Sequence, residues 1–293
     1  MGSGELAALG TATAWTVSSL AFETAARRIG SLSLNLLRVV MALGWLTLAA
    51  VLLRGRALPT DADARQWGYL LASGVVGLVL GDLCTFRAYV EFGARRTMVV
   101  STVTPVFTAG LAWLALGERV TAAETVAMLI IIVGILLAVR DRVSADQAPV
   151  RVGRGSLLAA GGALGQAGGL LLSKHGLAGY PAVPATQIRM VAGVVGFVVV
   201  LTVARWWPRL AASVRDRRAL GHVAVGAALG PGVGVALSLY AISHAHAGVA
   251  AALMALTPVL VLPLVAARGE RVGPLAIVGA VVAVAGTALL ALA

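Results

Sequence analysis

The chain has 293 residues, of which 59% are hydrophobic and only 12% charged, and its mean hydropathy is +0.94. A soluble domain of that length needs far more charge to cover its surface, so the composition excludes one. The net charge of +11 does not imply a nucleic-acid partner, because the basic residues are scattered through short loops between apolar runs, where anionic lipid accounts for them.

Apolar runs of about 20 residues, each enough to cross a ~30 Å hydrocarbon core, predict an all-α membrane protein of ten transmembrane helices. The spans are 6–25, 31–53, 67–89, 97–116, 121–139, 155–173, 183–204, 221–242, 247–267 and 273–292. The first run lacks a basic segment before it and a small-residue cleavage pattern after it, so it reads as a span rather than a signal peptide. Fifteen Lys and Arg residues fall in loops after odd-numbered spans and five in loops after even-numbered ones. The positive-inside rule then places the odd loops in the cytoplasm of a bacterial inner membrane and both termini in the periplasm.

Span 1 carries Trp15 at mid-depth, away from the interfaces where Trp67, Trp206 and Trp207 suit an aromatic belt. Span 2 carries Arg38, whose near-interface depth permits snorkelling, so anchoring and function both stay open. Span 3 holds Asp82 within VVGLVLGDLCTF, where a carboxylate must pair, protonate or face water. Arg38 and Arg87 are partners within reach of the pattern, and a substrate ammonium or a coupling proton is the functional alternative. Phe86 and Tyr89 follow at i+4 and i+7 on the same helical face. A carboxylate beneath aromatic rings suits an amine on an apolar or aromatic body; the plainer reading is a packing stripe. The lone cysteine, Cys84, is a small packing residue that supports neither a disulfide framework nor a metal site.

Span 4 contains Thr104-Pro105, whose proline removes a backbone donor and bends the helix. Its end, Gly117-Glu118-Arg119, reads as capping chemistry, the carboxylate sitting near the positive end of the next helix, with gating as the alternative. The charged stretch 140–154 is the natural hinge, dividing the chain into a first repeat at 1–140, a linker at 141–154 and a second repeat at 155–293.

Span 6 places Gln166 where the first repeat has Trp15, and span 7 places Arg189 where it has Arg38. Span 8 contains Gly230-Pro231-Gly232, which should interrupt its helical hydrogen bonds and serve as a mobile gate or binding element; the plainer reading is that, with Gly226 and Gly234, it forms a row of small residues for close helix packing. Ser238 and Tyr240 lie near the depth of Asp82. His244 and His246 turn to different sides of a helix and are read as solvated interfacial residues rather than metal ligands. Span 9 contains Thr257-Pro258 and ends at Gly269-Glu270-Arg271.

These features double. TPVFTAGLAWLALGERV returns as TPVLVLPLVAARGERV, and an offset of 151 to 153 residues also relates Arg38 to Arg189, Gly77 to Gly230 and Gly81 to Gly234. Each copy has five spans, an odd number, so the copies insert with opposite orientation. Inverted repeats of this kind give secondary transporters two similar gates around a midplane site.

The doubled pattern of Arg38, Pro105 and Gly117-Glu118-Arg119, then Arg189, Pro258 and Gly269-Glu270-Arg271, resembles the drug/metabolite transporter superfamily, EamA type. The resemblance implies helices of both halves around a central cavity, and its size and pattern are most similar to amino acid exporters, aromatic amino acid exporters included. It also implies that Trp15 and Gln166 stand where small multidrug transporters carry a proton-coupling glutamate, which leaves facilitated export or coupling through Asp82. On this reading spans 1, 3, 4, 6, 8 and 9 line the cavity. Trp15, Asp82, Phe86, Tyr89, Gln166, Ser238 and Tyr240 contact the solute, and rocking of the two halves gives access to each side.

Enzyme readings fare worse. The sequence has no HExxH, no Asp-rich diphosphate motif, no paired membrane aspartates and no Gly-rich Lys-Ser/Thr phosphate loop, so neither a cofactor nor nucleotide hydrolysis is expected. A membrane-embedded lipid-modifying enzyme or assembly subunit is the alternative to a solute exporter, and within transporters the alternative to amino acids is drugs or other metabolites. It would need a reactive interfacial cluster or a large loop domain.

Overall fold

The structure, a computed structural model, describes residues 2–92, 97, 100, 101, 103–140, 152–177, 179–267 and 272–292. Helix α1 (Ser3–Ile29) stops at Gly30, whose φ of +77° suits glycine, and α2 (Ser31–Arg54) starts immediately beyond it. An Asp63–Gln66 capping box opens α3 (Ala64–Ser73). That helix runs through a π-helical segment, π1 (Gly74–Gly81), into α4 (Asp82–Phe92). There follow α5 (Thr104–Leu116), α6 (Ala122–Arg140), α7 (Val152–Leu177) and α8 (Ala182–Val203). A short α9 (Trp207–Ser213) leads to α10 (Arg217–Ala227), which passes through a second π segment, π2 (Ala228–Gly234), into α11 (Val235–His244). The last elements are α12 (Ala247–Met254), α13 (Thr257–Ala267) and α14 (Pro274–Leu292).

No strand occurs among the described residues. Six helical stretches there are long and apolar enough to cross a membrane, and Thr104–Leu116, Ala122–Leu137 and Pro274–Leu290 are shorter apolar helices. The chain is a multi-pass membrane protein.

The main interfaces join one repeat to the other. α1 packs on α10, π2, α11 and α12, while its counterpart α7 packs on α3, π1, α4 and α5; α2 packs on α8, and α6 on α14. Lipid tails are as apolar as leucine, so helices in a bilayer associate through close backbone approach and interhelical hydrogen bonds. The sequence supplies both. The buried face of α1 is built of Gly4, Ala7, Ala8, Thr11, Ala12, Thr16 and Ser18. Ser18 Oγ donates to the Gly226 carbonyl at 2.8 Å, and Ser73 Oγ to that of Gly169 at 2.6 Å. The largest core cluster draws Leu70 and Ile131 from the first repeat and Ile188, Leu239, Ile242 and Leu253 from the second.

The interruption expected at Gly230-Pro231-Gly232 takes the form of π2. The helix continues with wider turns, Val235 N–H donating to the Gly230 carbonyl five residues back, and all three residues are buried. Its counterpart π1 lies at the matching place in the first repeat and contains no proline. Both segments carry a glycine row: Gly74 meets α8 and Gly77 and Gly81 meet the backbone of α7, whereas Gly226, Gly230 and Gly234 make room for Phe22, Ser18 and Trp15 of α1.

Candidate functional site

Asp82 opens α4 and pairs with Arg38 of α2, Oδ2 to Nη2, the two side chains being 14% and 9% exposed. The Arg38 guanidinium also lies 6.0 Å from the centre of the Phe22 ring. Arg87, the other expected partner, turns to Glu91 at 2.7 Å, and Arg154 of α7 meets the same carboxylate at 3.3 Å. Neither in-span arginine snorkels. Arg38 and its repeat counterpart Arg189 are both buried within the protein, because the helices that flank them close over the guanidinium before it can reach an interface.

Trp15 lies across π2: a Cβ on Gly234 would be 3.1 Å from its Nε1, and one on Gly230 3.2 Å from its Cζ3. The glycines make room for the indole. On the other side of the repeat, the backbone of α7 at Gln166 lies against Gly81 of π1, and the Gln166 side chain is exposed. Phe86 stands one turn beyond Asp82 and is half-buried.

Ser238 and Tyr240 part company. Ser238 is buried and donates to the Val235 carbonyl of its own helix at 2.7 Å. Tyr240 stacks on His244 at 4.0 Å between ring centres. It faces an apolar groove of about 380 Å³ between α2, α8 and π2–α11, lined also by Trp45, Leu46, Val183 and Gly232. The structure thus joins Trp15 to Gly230 and Asp82 to Arg38, and places Tyr240 on a separate face. The side chains of Tyr89 and Pro258, residue Glu270 and residues 141–151 lie outside the described residues.

The two Thr-Pro pairs share one local chemistry. Pro105 cannot donate to the carbonyl of Ser101, four residues back, and Thr104 Oγ1 donates to it instead at 2.7 Å. Pro258 leaves the carbonyl of Met254 in the same condition, and Thr257 Oγ1 reaches it at 3.2 Å. Each pair starts a new helix, α5 after Val103 and α13 after Ala255-Leu256. Thr257 also touches α1, its Oγ1 lying 3.4 Å from the Ala12 carbonyl and its carbonyl 3.4 Å from Thr16 Oγ1. Thr257→Val should therefore lower stability by about 1 kcal/mol, with Thr257→Ser restoring it. Equal melting of all three proteins would show that the carbonyl needs no partner.

One end of the bundle is latched across its middle. Gly117, with φ +67°, ends α5 as expected, but the Glu118 carboxylate caps a different helix from the one predicted. It accepts the Ala247 N–H at the start of α12 at 2.8 Å and pairs with Lys174 of α7 at 2.5 Å. The helix after it is capped by its own Thr121–Glu124 pair. Lys174 Nζ completes the latch by donating to the Ala245 carbonyl at 3.0 Å. At the same end Asp61 accepts from Tyr180 Oη at 2.8 Å and pairs with Arg54; the tyrosine's hydrogen bond, then the arginine's, hold its carboxyl below the ordinary range. His246 sits 3.1 Å from Glu124, and no group of three metal-ligating side chains occurs among the described residues.

The sequence model of the EamA-like transporter family matches residues 2–140 and again 153–292. No curated protein sequence matches the chain. The crystal structure of one protein has the same fold, with a TM-score of 0.78 at 18% identity, over 99% of this chain and 96% of that one.

Proposed function

Because the chain belongs to the EamA-like transporter family, we propose that it exports small metabolites, amino acids foremost, across a bacterial inner membrane by alternating access. In this reading the six long apolar helices are joined by α1 and the three shorter ones to make ten spans. They form two inverted repeats, 1–140 and 155–293, with 141–154 between them.

The observation that carries the proposal is the way the repeat symmetry is broken. At the end bearing Gly117 and Lys174, α11 packs on α7, and Glu118 and Lys174 reach across to Ala247 and Ala245. The symmetry-related pair at the other end, α4 and α1, meets at most marginally among the described residues. The ion pairs there, Arg28 to Asp216 and Arg154 to Glu91, join helices already in contact along their length. Two equivalent gates, one shut and one slack, are what an alternating-access protein presents in either of its end states.

The arginine count makes the latched end periplasmic, so this is the state that loads solute from inside the cell. The repeats interlock, and the moving bodies are accordingly mixed groups of helices drawn from both halves, hinged at the Thr-Pro pairs.

The test is flux of radiolabelled phenylalanine, tryptophan, threonine and lysine in proteoliposomes, with protein-free vesicles as control. Saturable counterflow of one class is expected, and its response to an imposed pH gradient reports proton coupling. Folded protein without flux of any of them would discard the amino acid assignment.

A further inference from the structure

The apolar groove at Tyr240 lies apart from Trp15 and Asp82. α2 packs on α10 and π2 but meets α11 at most marginally, and the gap between α2 and α11, closed on one side by α8, is the groove. Small residues, Ala49, Ala182, Gly232 and Ala236, leave the space, and the rings of Trp45 and Tyr240 border it. Both rings are pinned. Trp45 Nε1 donates to the Ala224 carbonyl at 3.2 Å, and Tyr240 stacks on His244. The shape is thus held by the protein itself.

Its length matches one leaflet of hydrocarbon. From Ala228 to Tyr240 the groove follows the helix for up to about 18 Å at ~1.5 Å per residue; half of a ~30 Å hydrocarbon core is about 15 Å. One end lies at an interface, between Leu53 and Ala182: α2 ends one residue beyond Leu53, and α8 begins at Ala182. Leu53 and Val233 on its border are exposed apolar side chains, which in a multi-pass membrane protein meet lipid.

Positive charge gathers at that same end. Arg54 and Arg56 follow Leu53, and the two guanidinium groups share the single carboxylate of Asp61. Asp61 is already engaged by Arg54 and by Tyr180, two residues before Ala182. Arg56 reaches it only at 3.9 Å, and its side chain is 60% exposed, so its guanidinium is open to an anion from outside.

We propose that the groove binds one phospholipid, an acyl chain lying between α2 and α11 and the phosphate resting on Arg56. A guanidinium takes a phosphate through paired, charge-assisted hydrogen bonds. The chain gains nothing by leaving water, since bulk lipid is as apolar as the groove; shape and the phosphate contact make the site selective. By the arginine count the lipid belongs to the periplasmic leaflet. It joins the repeats, meeting α2 of one and α8 and α11 of the other. The site depends on the protein spanning a membrane and not on what it transports.

Full-length protein purified in a maltoside detergent is titrated with dioleoyl phosphatidylglycerol or with dioleoylglycerol, which has the same chains and no phosphate. Bound lipid is counted by native mass spectrometry for the natural chain, Arg56→Gln and Ala236→Phe. One phosphatidylglycerol per chain should be retained at saturation, and dioleoylglycerol far more weakly. Arg56→Gln should weaken retention on the order of tenfold. Ala236→Phe, which puts a ring in the groove, should abolish it with the melting of the lipid-free protein unchanged; if that variant melts early, Ala49→Phe should give the same loss from the α2 side. Equal retention of the two lipids, unchanged retention in the variants, or uptake of many lipids without saturation would overturn the proposal. Displacement of the lipid by phenylalanine would assign the groove to the solute and overturn it equally.

Discussion

Asp82→Ala should lower the stability of the folded protein by about 3–5 kcal/mol, because it strands the buried Arg38 cation. Both side chains of the pair are under 15% exposed, at 14% and 9%, so water cannot take over from the lost carboxylate. Asp82→Asn should cost somewhat less, since the amide oxygen still accepts a hydrogen bond. The double variant Arg38→Met/Asp82→Leu should recover most of the loss, as buried ion pairs replaced whole by apolar side chains often do. Thermal melting of the four proteins in one detergent settles the matter. If the single and double variants melt alike, the pair is not what holds α2 to α4. Flux adds a second reading: a double variant that is stable yet inactive makes the charges functional, and a stable active one makes them structural.

Gly169→Leu should abolish the folded state altogether. A Cβ at that position would stand 2.7 Å from Gly77 Cα and 3.1 Å from the Ser73 carbonyl, both backbone atoms of a helix that cannot withdraw. Overfilling an ordinary core costs about 1–3 kcal/mol because side chains can shift; here the obstacle is main chain on both sides. The Ser73 and Ser173 hydroxyls, 2.6 Å apart and both bonded to the Gly169 carbonyl, would be pulled apart as well. Gly110→Leu is the control, since a Cβ there meets nothing within 4 Å. Equal yields of monodisperse protein for the two variants would refute the close-packed crossing.

Much of the architecture was legible in the sequence because membrane spans announce themselves by length and apolarity, and because the doubled motifs tie one half to the other. The Thr-Pro breaks were legible too, since proline's missing donor acts locally. The π segments were only half visible. Pro231 drew attention to one, whereas the other holds Gly74, Gly77 and Gly81 and no proline, and those glycines are matched to α7 and α8, helices far away in the chain. The partner of Glu118 could not be read from spacing, because Ala247 is 129 residues away and is offered as a backbone N–H, which every residue but proline has. The fate of Ser238 and Tyr240 was likewise hidden, since two residues apart on a helix means opposite sides and the pattern alone does not say which side is inward. Arg38 and Arg189 looked alike in sequence, yet the first pairs with Asp82 and the second has no ion pair among the described residues.

The exchange of interfaces between repeats bears on how the protein is made. α1 is made well before the surfaces that receive it: α10, π2, α11 and α12 follow it by more than 180 residues. Until then its alanines, threonines and Ser18 have only lipid beside them, and the row of small residues that fits a partner so closely gives lipid chains little to hold. The newborn first half is thus an unfinished object in the bilayer, protected by its helicity but not yet by its packing. α6 waits in the same way for α14, the last helix to leave the ribosome among those described. Completion of the first half therefore waits for α14, and a chain that lacks this helix leaves the face of α6 to lipid and to the membrane's own proteases.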